Sequence, residues 1–327
     1  MSGKKDTDYL SISSRVRAME NRLLTAERLE RMIDARDDAE ALKVLTECGY
    51  GELTGLTGPQ LDRALNAARV AALDEIAAMV PQSVLVDVFR VKYDYHNAKV
   101  LVKTRGDEQT AQRLLVPGGR YAPGQLLAGL QDCTPHFRQA VEQAEVCLAD
   151  TGDPQQSDML LDRACFAEMS RLAGQCSTPF MRGYVSLLAD TVNLRACVRC
   201  ARMDKDREFM ACVLVEGGSV PAADLLRSWG QGAGALFRSG PLAEAAELAD
   251  RLTGPDSGSL TELERLCDDA LMDYQRRARR VAFGEEVVAG YLFAKEAELT
   301  AARTVMAGRM AGLEPEVIRR RLRRSYV

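Results

Sequence analysis

Chemistry needs particular side chains at particular spacings, and this chain supplies few of them. Its two histidines, His96 and His136, form neither an HExxH nor a Glu-x-x-His pair, so no histidine-based zinc or di-iron site can be assembled. No glycine-rich loop ends in Lys-Ser or Lys-Thr. The two Gly-Gly pairs, at 118–119 and 217–218, lie between short helical segments rather than after a strand, so neither a Walker loop nor a dinucleotide fold is expected; each pair is read as a helix terminator. Cys197-Val-Arg-Cys200 has the spacing of a redox or metal half-site, but it sits in a helical pattern with no second CxxC, and both thiols are expected in the core. Asp268-Asp269-x-x-x-Asp273 resembles the acidic runs that hold magnesium against a diphosphate. Such sites need a second facing cluster, and the other adjacent pair, Asp37-Asp38, reads as a helix cap, so Asp268, Asp269 and Asp273 are expected on a solvated face. No catalytic residue, metal ligand or cofactor is assigned.

Three charged positions recur instead. An acid, then a residue three further on that is Asn or Ala, then a base five after the acid, appear as Asp94, Asn97 and Lys99; as Asp190, Asn193 and Arg195; and as Glu298, Ala301 and Arg303. Such charges could line a central cavity, or acid and base could pair between neighbouring helices to fix packing; the second is the reading we favour. The chain ends in a strongly basic run, with Arg319, Arg320, Arg321, Arg323 and Arg324 within the last nine residues. Part of this charge complements a helix C-terminus, and the excess faces either acidic partner loops or lipid headgroups.

The elements that must position these residues are helices. Apolar residues recur at helical spacing throughout, and no run alternates cleanly with period two, so the fold class is all-α. Asp37 followed by Glu40, Thr57-Gly58-Pro59, Thr134-Pro135, Asp153-Pro154 and Ser259 followed by Glu262 mark helix starts; long helices are expected from Ser83 to about Arg105, from about Thr178 to Met203, and from Gly284 to near Arg309. The segment LLVPGGRYAPGQLL (114–127) lies over VLVEGGSVPAADLL (213–226) without a gap, with six identities at a constant offset of 99, Val116 on Val215 and the glycine pairs on each other among them. The chain is therefore read as three helical repeats, 1–131, 132–230 and 231–327. The third is shortened and is expected to be completed by the opening helices.

With 327 residues, 46% hydrophobic and 28% charged, the chain is long enough to bury about three quarters of its unfolded surface without staples. No uncharged stretch exceeds eleven residues, so no bilayer-spanning segment and no direct bilayer insertion is expected. The opening MSGKKDTDYLSISSRV lacks the apolar core of a secretory signal, and nine irregularly spaced cysteines fit a reducing compartment. Net charge is −4, with an excess of basic residues after Arg276 and an acidic remainder that argues against nucleic acid as a partner.

At YDYHNAKVLVK (93–103), with Tyr93, Asp94, Tyr95, His96 and Asn97 in succession, the chain resembles the C subunit of prokaryotic V/A-type rotary ATPases, called d in eukaryotic vacuolar complexes. The opening 14–52 and the closing 284–323 resemble the same family, which at 300–302 more often carries a basic residue, an asparagine and a larger apolar residue than Thr300-Ala301-Ala302. The resemblance implies three domains around a pseudo-threefold axis, shaped as a funnel. It implies a non-catalytic central-stalk subunit between the membrane proteolipid rotor ring and a shaft of subunits D and F, on the cytoplasmic face of the membrane, meeting the stator membrane subunit only transiently. On that reading the terminal arginines are candidate partner contacts. The competing reading is a helical-repeat scaffold for an unrelated partner, since repeat architecture alone says only that a large surface is displayed.

Overall fold

The computed structural model describes residues 6–254 and 258–327; the lysine-bearing start of the chain, residues 1–5, lies outside them. Among the described residues there is no strand. Sixteen α-helices are present among them, and six begin at a residue whose side chain accepts an orphan backbone N–H. In order they are α1 Leu10–Glu20, α2 Ala26–Ile33, α3 Asp38–Glu47, α4 Gly58–Ala77, α5 Val84–Thr104, α6 Glu108–Leu114, α7 Pro123–Ala128, α8 Pro135–Thr151, α9 Pro154–Gln175, α10 Pro179–Arg202, α11 Arg207–Val213, α12 Ala222–Arg227, α13 Ala243–Leu252, α14 Leu260–Gln275, α15 Glu285–Met310 and α16 Pro315–Arg319. Asp37 caps α3 by accepting from the Glu40 N–H at 2.8 Å, and Asp153 caps α9 through Gln155 at 2.9 Å. Proline occupies the first turn of α4, α7, α8, α9, α10 and α16, where a missing N–H costs nothing. Helix α13 was not anticipated; Ala245, Ala246, Leu248, Ala249 and Leu252 form its buried face.

The chain divides into two compact units, one of Met1–Ser83 with Asp268–Val327 and one of Val84–Cys267. In the second unit, α9 packs against α5, α8 and α10, and α10 packs against α13. An aromatic knot of Tyr95, Phe137 and Tyr121, with ring centroids 5.4 and 5.1 Å apart along the series, fixes α5 against α8 and the loop before α7. In the first unit, α15 packs against α1, α2, α3, α4 and α16. Its core joins Leu29, Met32, Ile33, Leu42 and Leu45 from the start of the chain to Leu299, Val305, Met306 and Ile318 from the end. The hydrophobic effect thus ties segments more than 250 residues apart in sequence into one unit.

All nine cysteines are free, and seven are buried. Burial, with the neighbouring Cys200 adding to it, pushes the Cys197 thiol up to about 12, so this CxxC behaves as apolar packing within α10.

Candidate functional site

The recurrent acids, amides and bases fall on the long helices α5, α10 and α15, and each type has its own structural job. Asp94 is fully buried. The backbone N–H groups of Arg120 and Tyr121 donate to its Oδ1 at 2.8 and 3.3 Å, and the Arg120 guanidinium donates to Oδ2 at 2.6 Å. Asp190 on α10 is received in the same way, by the Ser219 and Val220 N–H groups at 3.1 and 3.3 Å and by the Ser219 hydroxyl at 2.6 Å. The asparagines make matching two-way bonds to the backbone. Asn97 donates to the Val116 carbonyl and accepts its N–H, both at 2.9 Å, and Asn193 does so with Val215 at 2.8 and 2.9 Å. On both α5 and α10, then, acid and amide form a clasp that holds the loop following the next short helix.

The glycine pairs belong to this clasp and do not end helices, which corrects the sequence expectation. Helices α6 and α11 finish at Leu114 and Val213, several residues earlier. Gly118 and Gly217 adopt left-handed φ values of 106° and 98°, turning the chain over the carboxylate. A Cβ at Gly119 or Gly218 would overlap Oδ1 of Asp94 or Asp190, so only glycine lets the backbone come this close.

The third acid is received by remote chain. Glu298 on α15 accepts from the Leu24 N–H, from the Tyr50 hydroxyl and, at 2.7 Å, from Lys295. Leu24 and Tyr50 flank the short helices α2 and α3, so the opening of the chain occupies the place that the glycine loops take in the other two clasps. Ala301 stands where the asparagines stand and has no side-chain amide to give.

The bases point elsewhere. Lys99 bonds Asp162 on α9 at 2.6 Å, Arg195 donates to the Glu264 carbonyl on α14 at 3.1 Å, and Arg303 bonds Asp62 on α4 at 3.2 Å as well as Asn66. Bases therefore tie neighbouring helices, as favoured from sequence, but the acids of the pattern are not their partners. Of the signature run, Asp94, Tyr95 and Asn97 are buried, Tyr93 is half-buried and His96 is exposed.

Sequence reasoning missed Arg120 and Glu168. Arg120 donates to Glu168 at 2.8 Å as well as to Asp94, and Glu168 also accepts from the Tyr95 hydroxyl at 2.9 Å and from Arg171 at 3.3 Å. Burial pushes the Asp94 carboxyl up to about 6 against the opposing pull of Arg120. At Glu168 burial also acts upward, but the hydrogen bonds and charge of Arg120, helped by Tyr95 and Arg171, outweigh it and hold the group below its ordinary value. One guanidinium serves two buried carboxylates, and Asp94 is the one that protonates first. The available sequence signal was the residue after each glycine pair, Arg120 or Ser219, which the internal match leaves unlike.

Two unexplained runs account for each other. Arg323 bonds Asp268 at 2.7 Å; the Arg324 N–H donates to Asp269 at 2.9 Å, and its guanidinium reaches Asp273 at 2.5 Å. Asp269 is buried while Asp268 is half-buried and Asp273 exposed, so the solvated face expected for the aspartates holds for Asp273 but not for Asp269, and the run seats the C-terminal segment. Arg319 is held by Glu30 at 2.8 Å, Asp34 at 2.5 Å and Glu316 at 2.9 Å. Arg320 and Arg321 are exposed and make no ion pair among the described residues. No group of three or more His, Cys, Asp or Glu side chains suited to a metal occurs among the described residues, and no described helix is long and apolar enough to cross a membrane.

The polar groups of this site are spent on holding helices and loops of an all-helical fold. The family model of the ATP synthase (C/AC39) subunit matches residues 12–321. The chain belongs to that family. It is similar to the C subunit of the V-type sodium ATPase of Enterococcus hirae, with 25% identity over 330 residues that cover 98% of this chain and 99% of the relative. As a member of the C/AC39 family it is a non-catalytic, peripheral component of the stalk of a rotary ATPase, and it associates with the rotor and stalk of that complex.

Proposed function

We propose that this protein is the socket between the membrane proteolipid rotor ring and the central shaft of its rotary ATPase, turning with both and transmitting torque for ion transport coupled to ATP synthesis or hydrolysis. The observation that carries the reading is the family match along almost the whole chain, 12–321, which includes all three clasps. In this reading residues 1–131, 132–230 and 231–327 are three repeats closed into a funnel. Support comes from the bases: α5 reaches α9, α10 reaches α14 and α15 reaches α4, so each long helix bonds a helix of the repeat next in cyclic order. The service of Glu298 by Leu24 and Tyr50 supports completion of the third repeat by the opening helices. A torque adaptor must stay rigid under load, and buried acid and amide clasps that fix loops to helices suit that demand.

The shaft subunits in this proposal are D and F, the station is the cytoplasmic face of the membrane, and contact with the stator membrane subunit is transient. The test is affinity purification of the tagged chain from gently solubilised membranes of its own cell, with co-purifying proteins identified and ATPase activity assayed. Recovery of a proteolipid ring and shaft subunits with activity that the isolated chain lacks is expected. Recovery with unrelated soluble partners only would reduce the chain to a helical scaffold.

A further inference from the structure

The tertiary structure brings together two arginine runs that lie about forty residues apart in sequence. Arg276–Arg280 form a short 3-10 helix directly after α14, and Arg319–Arg324 end α16 and lead into the C-terminal segment. They share an anchor: Asp273 pairs with Arg276 at 3.6 Å on one oxygen and with Arg324 on the other. Arg279 donates to the Tyr326 carbonyl at 3.2 Å, and Tyr326, 3% exposed, is packed against Gly290 of α15. Arg323 on Asp268 and Arg324 on Asp269 complete the attachment.

The anchoring uses up Arg276, Arg323 and Arg324. Arg277, Arg280, Arg320 and Arg321 remain, all exposed and without an ion pair among the described residues, although Arg277 stacks on the Tyr274 ring with its guanidinium carbon 4.9 Å from the centroid. Like charges held close raise the energy of the free protein, and a partner's counter-charge lowers it again.

We propose that these four arginines form one docking face for an acidic polypeptide segment of a neighbouring subunit. The inference rests on the reading that the chain assembles into a rotary ATPase, and it narrows the contact to a face that the terminal run alone does not define: Arg319, Arg323 and Arg324 are excluded, and Arg277 and Arg280 are added. A carboxylate-bearing partner fits because both runs contain arginine and no lysine, and guanidinium forks match carboxylates in two-point geometry; arginines of the same runs already seat Asp268, Asp269 and Asp273. A bilayer fits less well, because neither run exposes a large apolar side chain: Ala278 is buried and Leu322 packs against the core of the first unit.

The experiment compares the intact complex carrying the wild-type chain, the quadruple variant R277Q/R280Q/R320Q/R321Q, and a control that removes the same charge elsewhere, R63Q/R163Q/R182Q/R251Q. Immobilised complexes are washed with rising NaCl, and the salt concentration that releases half of the chain is read. The face variant should be released at about half the salt needed for wild type, since loss of complementary charge shows chiefly in salt dependence, while the control stays near wild type. Thermal unfolding of the isolated variants should match wild type, because none of the four residues holds an ion pair within the described chain. Equal release of the face variant and the control overturns the inference while leaving the function intact. Failure of the wild-type chain to join any rotary complex overturns both. Unchanged release, with loss of binding to phosphatidylglycerol-containing vesicles, overturns it in favour of a lipid surface.

Discussion

The clasps of the second unit and that of the first perform the same task with chain from very different places. Asp94 and Asp190 are received by loops 26 to 30 residues downstream, so each clasp is a local supersecondary unit. Glu298 is received by Leu24 and Tyr50, 274 and 248 residues away. A local clasp forms at a low cost in loop entropy, whereas the third can form only once both chain ends have met. The difference teaches that the first unit depends on its termini in a way that the second does not.

Removing residues 1–50 should break the comparison most severely. Glu298 would lose two donors and the core would lose α2 and α3, so amides of α15 should exchange at rates set by local unfolding while those of α5 and α10 stay protected; hydrogen exchange by mass spectrometry reads this. Equal loss of protection in both units would show that the clasps are not independently supported.

Within the second unit the two acids differ in charge balance. R120M leaves Asp94 and Glu168 buried without their shared cation and should cost about 3–5 kcal/mol, against about 1 kcal/mol for S219A at the corresponding place under Asp190; urea unfolding measures both. Similar costs would mean that the backbone N–H groups, common to both clasps, carry the stabilisation.

G119A and G218A should each cost about 1–3 kcal/mol through overlap with the carboxylate. Because that overlap is the cause, the penalty of G119A should largely vanish in a D94A background, and a double-mutant cycle would detect the coupling. Additive effects would point to backbone conformation instead.

The smallest effect is on pH dependence. The folded-state pKa of Asp94 is raised to about 6, so its contribution to stability is full below the unfolded carboxylate value and is lost as pH rises through about 6. Glu168 is lowered, so its contribution is present above the ordinary glutamate value and is lost as pH falls. D94N should therefore abolish a gain in stability that wild type shows between pH 7 and pH 5, while E168Q should remove protection at neutral pH. Melting temperatures across that range test both.

Much of this was legible along the chain, because helix periodicity, caps and prolines are local properties. Asp37, Asp153, Thr134-Pro135 and Gly284 start helices at or within a residue of where they were expected. The offset of 99 identified Val116 with Val215 and the glycine pairs with each other, and the structure gives the valines the same bonds and Gly119 and Gly218 the same close approach to a carboxylate.

What the sequence by itself determined, then, was the all-helical class, the matched positions Val116 with Val215 and Asn97 with Asn193, and the family. Tertiary structure alone decided who pairs with whom. Asp94 takes Arg120 instead of Lys99, Asp268 and Asp269 take Arg323 and Arg324 from 55 residues away, and Glu298 takes the opening of the chain. The physical reason is that a charge on a helix records only that a partner is needed; packing of distant segments chooses which partner arrives, and burial then makes the choice costly to undo.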